Sequence, residues 1–154
     1  MPTIRAATEK DEKAVFLLAG QLSSNFKVEG AAFSDSFAQL LAAEDVYLHV
    51  VEKSGELIAY LLGWSRLAFY SNGAVAWIQE IVVRPESRRA GIGESIMTHF
   101  ERWSANRSAR VISLATRGAT DFYLALDYTE SATYYKKTIQ PNQITTDNSG
   151  ASPQ

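Results

Sequence analysis

Two glycines and a group of arginines lie close together in the middle of the chain, and together they could bind a phosphate group. Gly91 and Gly93 precede an amphipathic stretch, and three cations come just before them, Arg84, Arg88 and Arg89. The first backbone N–H groups of a helix have no intrahelical partner, and the helix dipole adds positive charge there. Glycine has no Cβ atom, so an anion can approach its backbone closely. This spacing predicts a pyrophosphate-binding loop.

The segments on either side of the loop must position it. The β-branched run from Trp77 to Val83 predicts a central strand, which ends at Pro85 because proline has no N–H for the sheet. After the second glycine, apolar residues recur at helical spacing, which predicts a helix over 94–103. The glycines fit neither the dinucleotide fingerprint G-x-G-x-x-G nor the P-loop pattern G-x-x-x-x-G-K-[ST].

The pattern that does fit is [QR]-x-x-G-x-[GA], preceded by an apolar strand and Val-x-Pro. It is carried by Arg88-Arg89-Ala90-Gly91-Ile92-Gly93. This string resembles the acetyl-CoA-binding loop of the GNAT superfamily of N-acetyltransferases. The resemblance implies that residues 89–94, from Arg89 to Glu94, hold the pyrophosphate, and that Arg88 also binds the cofactor. It also implies that three strand residues pair with the pantetheine arm, namely Ile81, Val82 and Val83.

A second stretch, from Thr116 to Tyr128, is similar to the family segment N-x-x-A-x-x-F-Y-x-x-L-G-F. Four positions match, Ala119, Phe122, Tyr123 and Leu126, while Thr116 replaces asparagine and Asp127 replaces glycine. The resemblance implies cofactor contacts from Thr116, Ala119 and Phe122, and makes Tyr123 the general acid that protonates the leaving thiolate. A tyrosine phenol, with an ordinary pKa of about 10, is protonated at neutral pH. The alternative for Tyr123 is a core aromatic beside Phe122.

The general base is expected on the predicted central strand. Family members transfer the acetyl group directly, without an acyl-enzyme, so a group must take the proton of the attacking amine. Glu80 is the best carboxylate for this, acting through water. The family often has an acid at the preceding position too, but here it is Gln79, whose amide cannot accept that proton. The alternative for Glu80 is a structural acid paired with an arginine.

These residues predict an acetyl-CoA-dependent N-acetyltransferase that acts on a primary amine of a small molecule, an amino acid or a peptide. Two alternatives remain open: a relative that uses another acyl-CoA, and a non-catalytic module that binds or senses acyl-CoA. Acceptor contacts are expected from residues 23–36 and from a hairpin near Ser131. Three aromatic residues would supply surface for the acceptor, namely Phe26, Phe33 and Tyr70.

The predicted element order, β-α-α-β-β-β-α-β-α-β-β, is that of the GNAT fold, in the α/β (α+β) class. The fold implies a central mixed, mostly antiparallel twisted sheet, splayed at the acetyl-CoA site and flanked by helices. We expect one domain over 1–139, closed by a hairpin of Tyr128–Glu130 and Thr133–Ile139. Residues 140–154 are polar and predict a disordered tail.

Composition excludes several other classes of protein. A net charge of -2 and a pI near 5.7 give no reason to expect nucleic acid binding. No apolar run reaches the roughly 18 residues of a membrane span, and there is no cysteine for a disulfide or thiolate site. The two histidines, His49 and His99, have no carboxylate spaced for a metal. We expect a cytoplasmic protein, and the family resemblance together with the exposed closing hairpin favours a homodimer.

Overall fold

The computed structural model describes residues 1–22 and 27–140. The chain divides into two compact units, Met1–Ala119 and Thr120–Gln154, and each is described by itself. Apart from Gln140, the predicted tail lies outside the described residues, as does the 23–26 part of the predicted acceptor segment. The single domain over 1–139 stays a prediction.

The first unit contains one five-stranded sheet, in the order β1-β2-β3-β4-β5. The four N-terminal strands pair antiparallel, and β5 joins β4 in parallel. The mixed, mostly antiparallel sheet expected from the sequence is therefore confirmed. The strands are β1 Thr3–Ala6, β2 Val46–Lys53, β3 Glu56–Ala68, β4 Gly73–Val83 and β5 Ala109–Leu114.

Three α-helices accompany this sheet. They are α1 Glu12–Ala19, which follows a 3-10 turn at Glu9–Asp11, α2 Gly30–Ala42 and α3 Ile92–Asn106. The observed α3 is longer than the predicted 94–103 because the left-handed turn that begins it falls at Gly91, the first glycine of the pair. No helix in the described part of the chain has the length and apolar character needed to cross a bilayer.

The helices cover opposite faces of the sheet. Val15 and Leu18 of α1 and Phe37 of α2 belong to one buried cluster together with sheet residues, among them Leu48, Val50, Tyr60, Leu62 and Val82. On the other face, Phe100 of α3 makes an edge-to-face contact with Tyr47 of β2, with ring centroids 5.0 Å apart. The strands alternate between these two cores because successive side chains point to opposite faces.

The second unit begins with a short helix, α4, over Thr120–Ala125. It ends in a turn at Asp127, whose φ of 67° is left-handed, so aspartate adopts there the conformation for which the family pattern has glycine. The predicted closing hairpin is wrong. Residues 129–140 form no strand and are exposed, because β propensity alone does not stabilise a strand without a partner.

Candidate active site

The two parallel strands separate half way along β4. The ladder joins Ala74–Ile78 to β5 and ends at the pair Ile78 and Leu114. β4 continues to Val83, so its residues 79–83 have β3 on one side and no strand on the other within the described chain. Backbone groups along this open side can therefore pair with a ligand. The predicted pantetheine contacts, Ile81, Val82 and Val83, lie on this segment.

A β-bulge at Gln79 directs the side chain of Glu80. Leu62 pairs with Glu80 and Gly63 pairs with Ile78, which leaves Gln79 as an extra residue in β4. A Cβ added to Gly63 would lie 2.8 Å from the ring of Phe100, so this register position faces α3. Leu62 and Glu80 consequently face α1 and α2. In an unbroken strand, residues 78 and 80 would share one face, and the bulge separates them.

Glu80 has a tyrosine as its hydrogen-bond partner. The Tyr60 hydroxyl donates to Glu80 Oε1 at 2.9 Å. Burial and the neighbouring negative charge of Glu80 both raise the pKa of Tyr60, so its phenol keeps its proton and remains a donor. Within the described residues Glu80 forms no ion pair with an arginine or lysine. The side-chain partner of Glu80 is therefore Tyr60, and not the arginine of the alternative interpretation drawn from the sequence.

Glu80 also lines a cavity of about 270 Å³ on the α1/α2 face of the sheet. The walls are largely apolar and include Phe33, Phe37 and Leu62, while Lys27 and Glu29 supply the other charged groups of the lining. Phe33 thus reaches the cavity, as predicted for an acceptor contact. Tyr70, by contrast, lies in the exposed β3–β4 turn, and Phe26 is outside the described residues.

The glycine loop opens towards solvent in front of α3. Gly91 is the N-cap residue with φ of 79°, and a Cβ added there would meet no atom within 4 Å. Ser95 N–H donates to the Gly91 carbonyl at 3.0 Å, which closes the first turn of the helix. The N–H groups of Ile92, Gly93 and Glu94 have no hydrogen-bond acceptor within the helix, because they lie in its first turn. Glycine is needed at position 91 because side chains rarely adopt this left-handed conformation.

The three loop arginines have different partners. Arg84 forms ion pairs with Glu56 at 3.1 Å and with Glu86 at 3.5 Å, so its charge is largely compensated. Arg88 donates from Nε to the Val83 carbonyl at 3.0 Å, which ties the loop to the end of β4. Arg89 is exposed, has φ of 63°, and makes no ion pair or hydrogen bond to any described residue. Ala90 is likewise exposed beside it.

Thr116 forms a local turn after β5. Its Oγ1 accepts a hydrogen bond from the Ala119 N–H at 3.2 Å, and both residues are exposed. The hydroxyl proton of Thr116 is not used in this bond. The side chain that replaces the family's asparagine therefore stabilises its own turn and keeps one donor for a ligand.

Tyr123 lies in α4 of the second unit and its side chain is buried. Its ring makes edge-to-face contacts with Phe122, with centroids 5.0 Å apart, and with Tyr128, with centroids 6.0 Å apart. Burial raises the pKa of Tyr123, which keeps the phenol protonated. The hydroxyl has no hydrogen-bond partner among the described residues. A buried phenol in this state can donate a proton to an incoming group.

The histidines form an aromatic cluster between β2 and α3. His49 stacks on Tyr47 with ring centroids 3.9 Å apart, and the Tyr47 hydroxyl lies 2.9 Å from His99 Nδ1. His49 Nδ1 is buried without a hydrogen-bond partner in the described chain, and burial together with the nearby His99 lowers the pKa of His49 to about 4. No group of three metal-ligating side chains is present in the described ranges.

Sequence reasoning missed the bulge, Tyr60 and Lys27. A bulge depends on the register between two strands, which residue order alone does not reveal. Tyr60 lies inside an apolar run, L-I-A-Y-L-L, and gave no sign of polar function. Tyr60 lies two residues before Leu62, which pairs with Glu80, and this pairing across the bulge is seen only in the structure.

Comparisons with known proteins agree with this geometry. The model of the acetyltransferase (GNAT) family matches residues 15–128. The chain is 27% identical over 140 residues to an aminoalkylphosphonate N-acetyltransferase of Salmonella typhimurium (strain LT2), covering 88% of this chain and 90% of that protein.

Solved structures share the fold at lower identity. A transcriptional regulator from Bacillus halodurans C-125 superimposes with a TM-score of 0.84 at 20% identity, covering 90% of this chain and all of the other. The structure of AAC(6')-Iy in complex with the bisubstrate analogue CoA-S-monomethyl-acetylneamine gives a TM-score of 0.77 at 18% identity, with 90% and 99% coverage. With the family match over most of its length, the chain belongs to the GNAT family of acetyltransferases and is an N-acetyltransferase.

Proposed function

We propose that this enzyme transfers the acetyl group of acetyl-CoA directly to a primary amine of a small molecule, an amino acid or a peptide. The observation that carries the proposal is the placement of Glu80 by the bulge. Its carboxylate lines the cavity beside α1 and α2, on the strand whose other edge is open from residue 79 onward. A carboxylate that could accept a proton and a strand edge that could bind a thioester thus share one short segment of β4.

Acetyl-CoA fits the open edge and the loop. It supplies a thioester whose carbonyl carbon is attacked by the amine. The backbone of Ile81, Val82 and Val83 would pair with the pantetheine arm; Val82 contributes only backbone, since its side chain is buried in the α1/α2 core. The free N–H groups at the start of α3, those of Ile92, Gly93 and Glu94, would hold the pyrophosphate together with the loop residues before them. Open space at Gly91 supports this assignment, as does the guanidinium of Arg89, which pairs with no residue in the described part of the chain.

Glu80 is proposed to take the proton of the attacking amine through a water molecule. The hydrogen bond from Tyr60 engages Oε1, so Oε2 would accept from the water. A backbone N–H near Ile81 or Val82 would stabilise the negative charge that develops on the thioester oxygen. Tyr60 would act as a positioning residue, because its phenol keeps its own proton.

Tyr123 is proposed as the general acid on the basis of the family resemblance. Its raised pKa and unbonded hydroxyl support a proton donor to the departing thiolate. Phe122 is proposed to contact the cofactor from α4, and Thr116 and Ala119 from the turn after β5. The balance of the reaction is simple: one proton leaves the amine towards Glu80, and one reaches the sulfur from Tyr123.

The acceptor is proposed to be a small amine that carries an anionic group. The Salmonella relative is named for aminoalkylphosphonates, which combine an amine with an acidic phosphonate. In this chain Lys27 supplies a cation to the cavity lining, and it forms no ion pair with a described residue. A volume of about 270 Å³ is below the usual range for drug-sized ligands, which supports a compact acceptor.

Calorimetric titration with acetyl-CoA, followed by a turnover assay, tests the proposal. Wild-type protein should bind acetyl-CoA, and Gly91→Glu should abolish binding, because it strains the turn and places a carboxylate in the open space. Turnover is measured as free thiol released with aminoalkylphosphonates, amino acids, peptides and plain alkylamines as acceptors. The chain has no cysteine, so its own thiols add no background.

Gly55→Glu is a matched control, since this glycine in the β2–β3 turn also has a left-handed φ, of 81°, and no neighbour within 4 Å. It should leave acetyl-CoA binding unchanged. Failure of the wild-type protein to bind acetyl-CoA would reject the cofactor site proposed here. Binding without turnover on any amine in the panel would instead reject the acceptor class.

A further inference from the structure

The bulge in β4 brings two adjacent polar side chains to the same face of the sheet. Trp77 precedes Ile78, whose register position faces α3, so Trp77 faces the α1/α2 side. The Trp77 Nε1–H donates to Gln79 Oε1 at 2.8 Å, which places the Gln79 side chain on that side as well. Glu80 faces the same way. Two consecutive residues of an unbroken strand would point to opposite faces, so their common direction is a product of the bulge.

The hydrogen bond from Trp77 determines which end of the Gln79 amide is left for a ligand. An indole N–H only donates, so its partner must be the amide oxygen and not the amide nitrogen. The nitrogen, Nε2, carries two hydrogens and makes no hydrogen bond to a described residue. Gln79 is exposed, although its amide is held by this bond. The residue next to the proposed proton acceptor therefore offers a hydrogen-bond donor of fixed orientation.

The surface beside Gln79 is aromatic. Trp77 pairs with Trp64 across β3 and β4, and both side chains are half-buried. The guanidinium of Arg66 lies over the Trp64 ring, 4.5 Å from its centroid, and forms an ion pair with Asp45 at 2.9 Å. The charge of Arg66 is thus already compensated. A hydrogen bond made beside apolar rings is stronger than one made in open water, because the local dielectric constant is lower.

We infer that Gln79 is a specificity-determining residue whose amide donates a hydrogen bond to the anionic group of the acceptor. The inference rests on the acetyl transfer proposed above. Consecutive Cα atoms are about 3.8 Å apart, so a small amine with its nitrogen near Glu80 reaches Gln79 with a group a few bonds away. A glutamate at this position would offer only acceptors and a negative charge. The amide therefore selects amines that carry an oxyanion over amines that carry a second cation.

Gln79→Glu tests the inference with two acceptors of similar length, aminoethylphosphonate and propylamine. The carboxylate still accepts the bond from Trp77, so the local structure is kept. The ratio of kcat/KM for the phosphonate to kcat/KM for propylamine should fall by about 50-fold, because a charge-assisted bond is replaced by repulsion. Most of the change should lie in the KM for the phosphonate. A ratio cancels any change in rate that is common to both acceptors.

Trp77→Phe and Gln39→Glu complete the series. Trp77→Phe keeps an aromatic ring and releases the Gln79 amide, so the same ratio should fall by about 5-fold while kcat for propylamine stays unchanged. Gln39→Glu makes the same change of charge at an exposed glutamine of α2, outside the cavity lining, and should leave the ratio as in wild type. Circular dichroism checks that the variants fold.

Nuclear magnetic resonance tests the contact without turnover. The side-chain amide signals of Gln79 are those that disappear in Gln79→Glu. In the presence of CoA they should shift when aminoethylphosphonate is added, and not when propylamine is added. Unshifted signals, or an unchanged acceptor ratio in Gln79→Glu, would overturn the role of Gln79 and leave acetyl transfer in place. Shifted signals in a protein that acetylates none of the amines would support this contact and reject the proposed function.

Discussion

The two faces of the central sheet differ in how completely they are filled. On the α3 face, Ile96, Met97 and Phe100 are fully buried, and Gly63 leaves no room for even one methyl group. On the α1/α2 face, the sheet and α2 leave a cavity of about 270 Å³ with Glu80 and Lys27 in its lining. The same strands thus form a densely packed layer on one side and a cavity with room for a small molecule on the other.

This difference shows how one extra residue lets a single strand contribute side chains to two different environments. The bulge at Gln79 turns Ile78 towards the dense face and Glu80 towards the cavity, although the two are only two residues apart. A rigid packing layer behind a reactive carboxylate reduces the motion of that carboxylate, and precise placement is a large part of catalysis. Substitutions on the two faces should therefore affect different measured quantities.

The largest effect is expected from Glu80→Gln on the cavity face. It removes the proposed proton acceptor and keeps the size of the side chain, so kcat should fall by about 100-fold or more. The dissociation constant for acetyl-CoA, measured by calorimetry, should stay within a factor of about two. Glu44→Gln is an exposed control on the chain surface. Unchanged kcat in Glu80→Gln would remove this residue from the mechanism.

Two phenylalanine truncations compare the faces in terms of stability. Phe100→Ala should lower the free energy of unfolding by about 3–5 kcal/mol, because it opens a cavity in the dense layer. Phe33→Ala, at the half-buried cavity wall, should cost about 1 kcal/mol and act mainly on the KM for the amine. Urea unfolding and steady-state kinetics measure both. Equal losses of stability would contradict the contrast between the faces.

A smaller effect is expected from Gly63→Ala. The added Cβ would lie 2.7 Å from the Trp77 carbonyl oxygen and 2.8 Å from Phe100, so the strand or the helix must move. We expect a loss of about 1–3 kcal/mol in unfolding free energy, the usual cost of overpacking a core. Gly118→Ala, with open space around it, should change the stability little. A Gly63→Ala protein as stable as wild type would show that the dense face can relax.

The smallest effect concerns the pH dependence of stability and His49. Its pKa is lowered to about 4 in the folded protein, from an ordinary value of 6.5. Between these values the unfolded chain binds the proton and the folded one does not, so stability falls as the pH decreases from 6.5 towards 4. His49→Phe keeps the stack on Tyr47 and should flatten this fall. Urea midpoints at several pH values test it, and an unchanged slope would exclude His49 as the cause.

The sequence predicted features that depend on neighbouring residues, and it missed those that depend on pairing between distant segments. The β4 strand, the glycine loop and α3 follow from residues next to one another, and all three were predicted, although the left-handed conformation of Gly91 was not. The replacement of the family's glycine by Asp127 preserves a left-handed turn, because aspartate tolerates that conformation better than most residues. The role of Tyr60 depends on a cross-strand pairing that the residue order does not specify. The hairpin over residues 128–139 failed for a related reason, since strand-like composition does not supply a partner.

In the part of β4 that pairs only with β3, the backbone amides should exchange with solvent deuterium in a regular pattern. Along residues 80–83, beyond the bulge, successive N–H groups alternate between the β3 ladder and the open side, so slow and fast exchange should alternate from one residue to the next. A ligand that pairs with this strand would slow only the fast set. The exchange rates of individual amides along this edge therefore report whether a ligand is bound there, and they do so without a turnover assay.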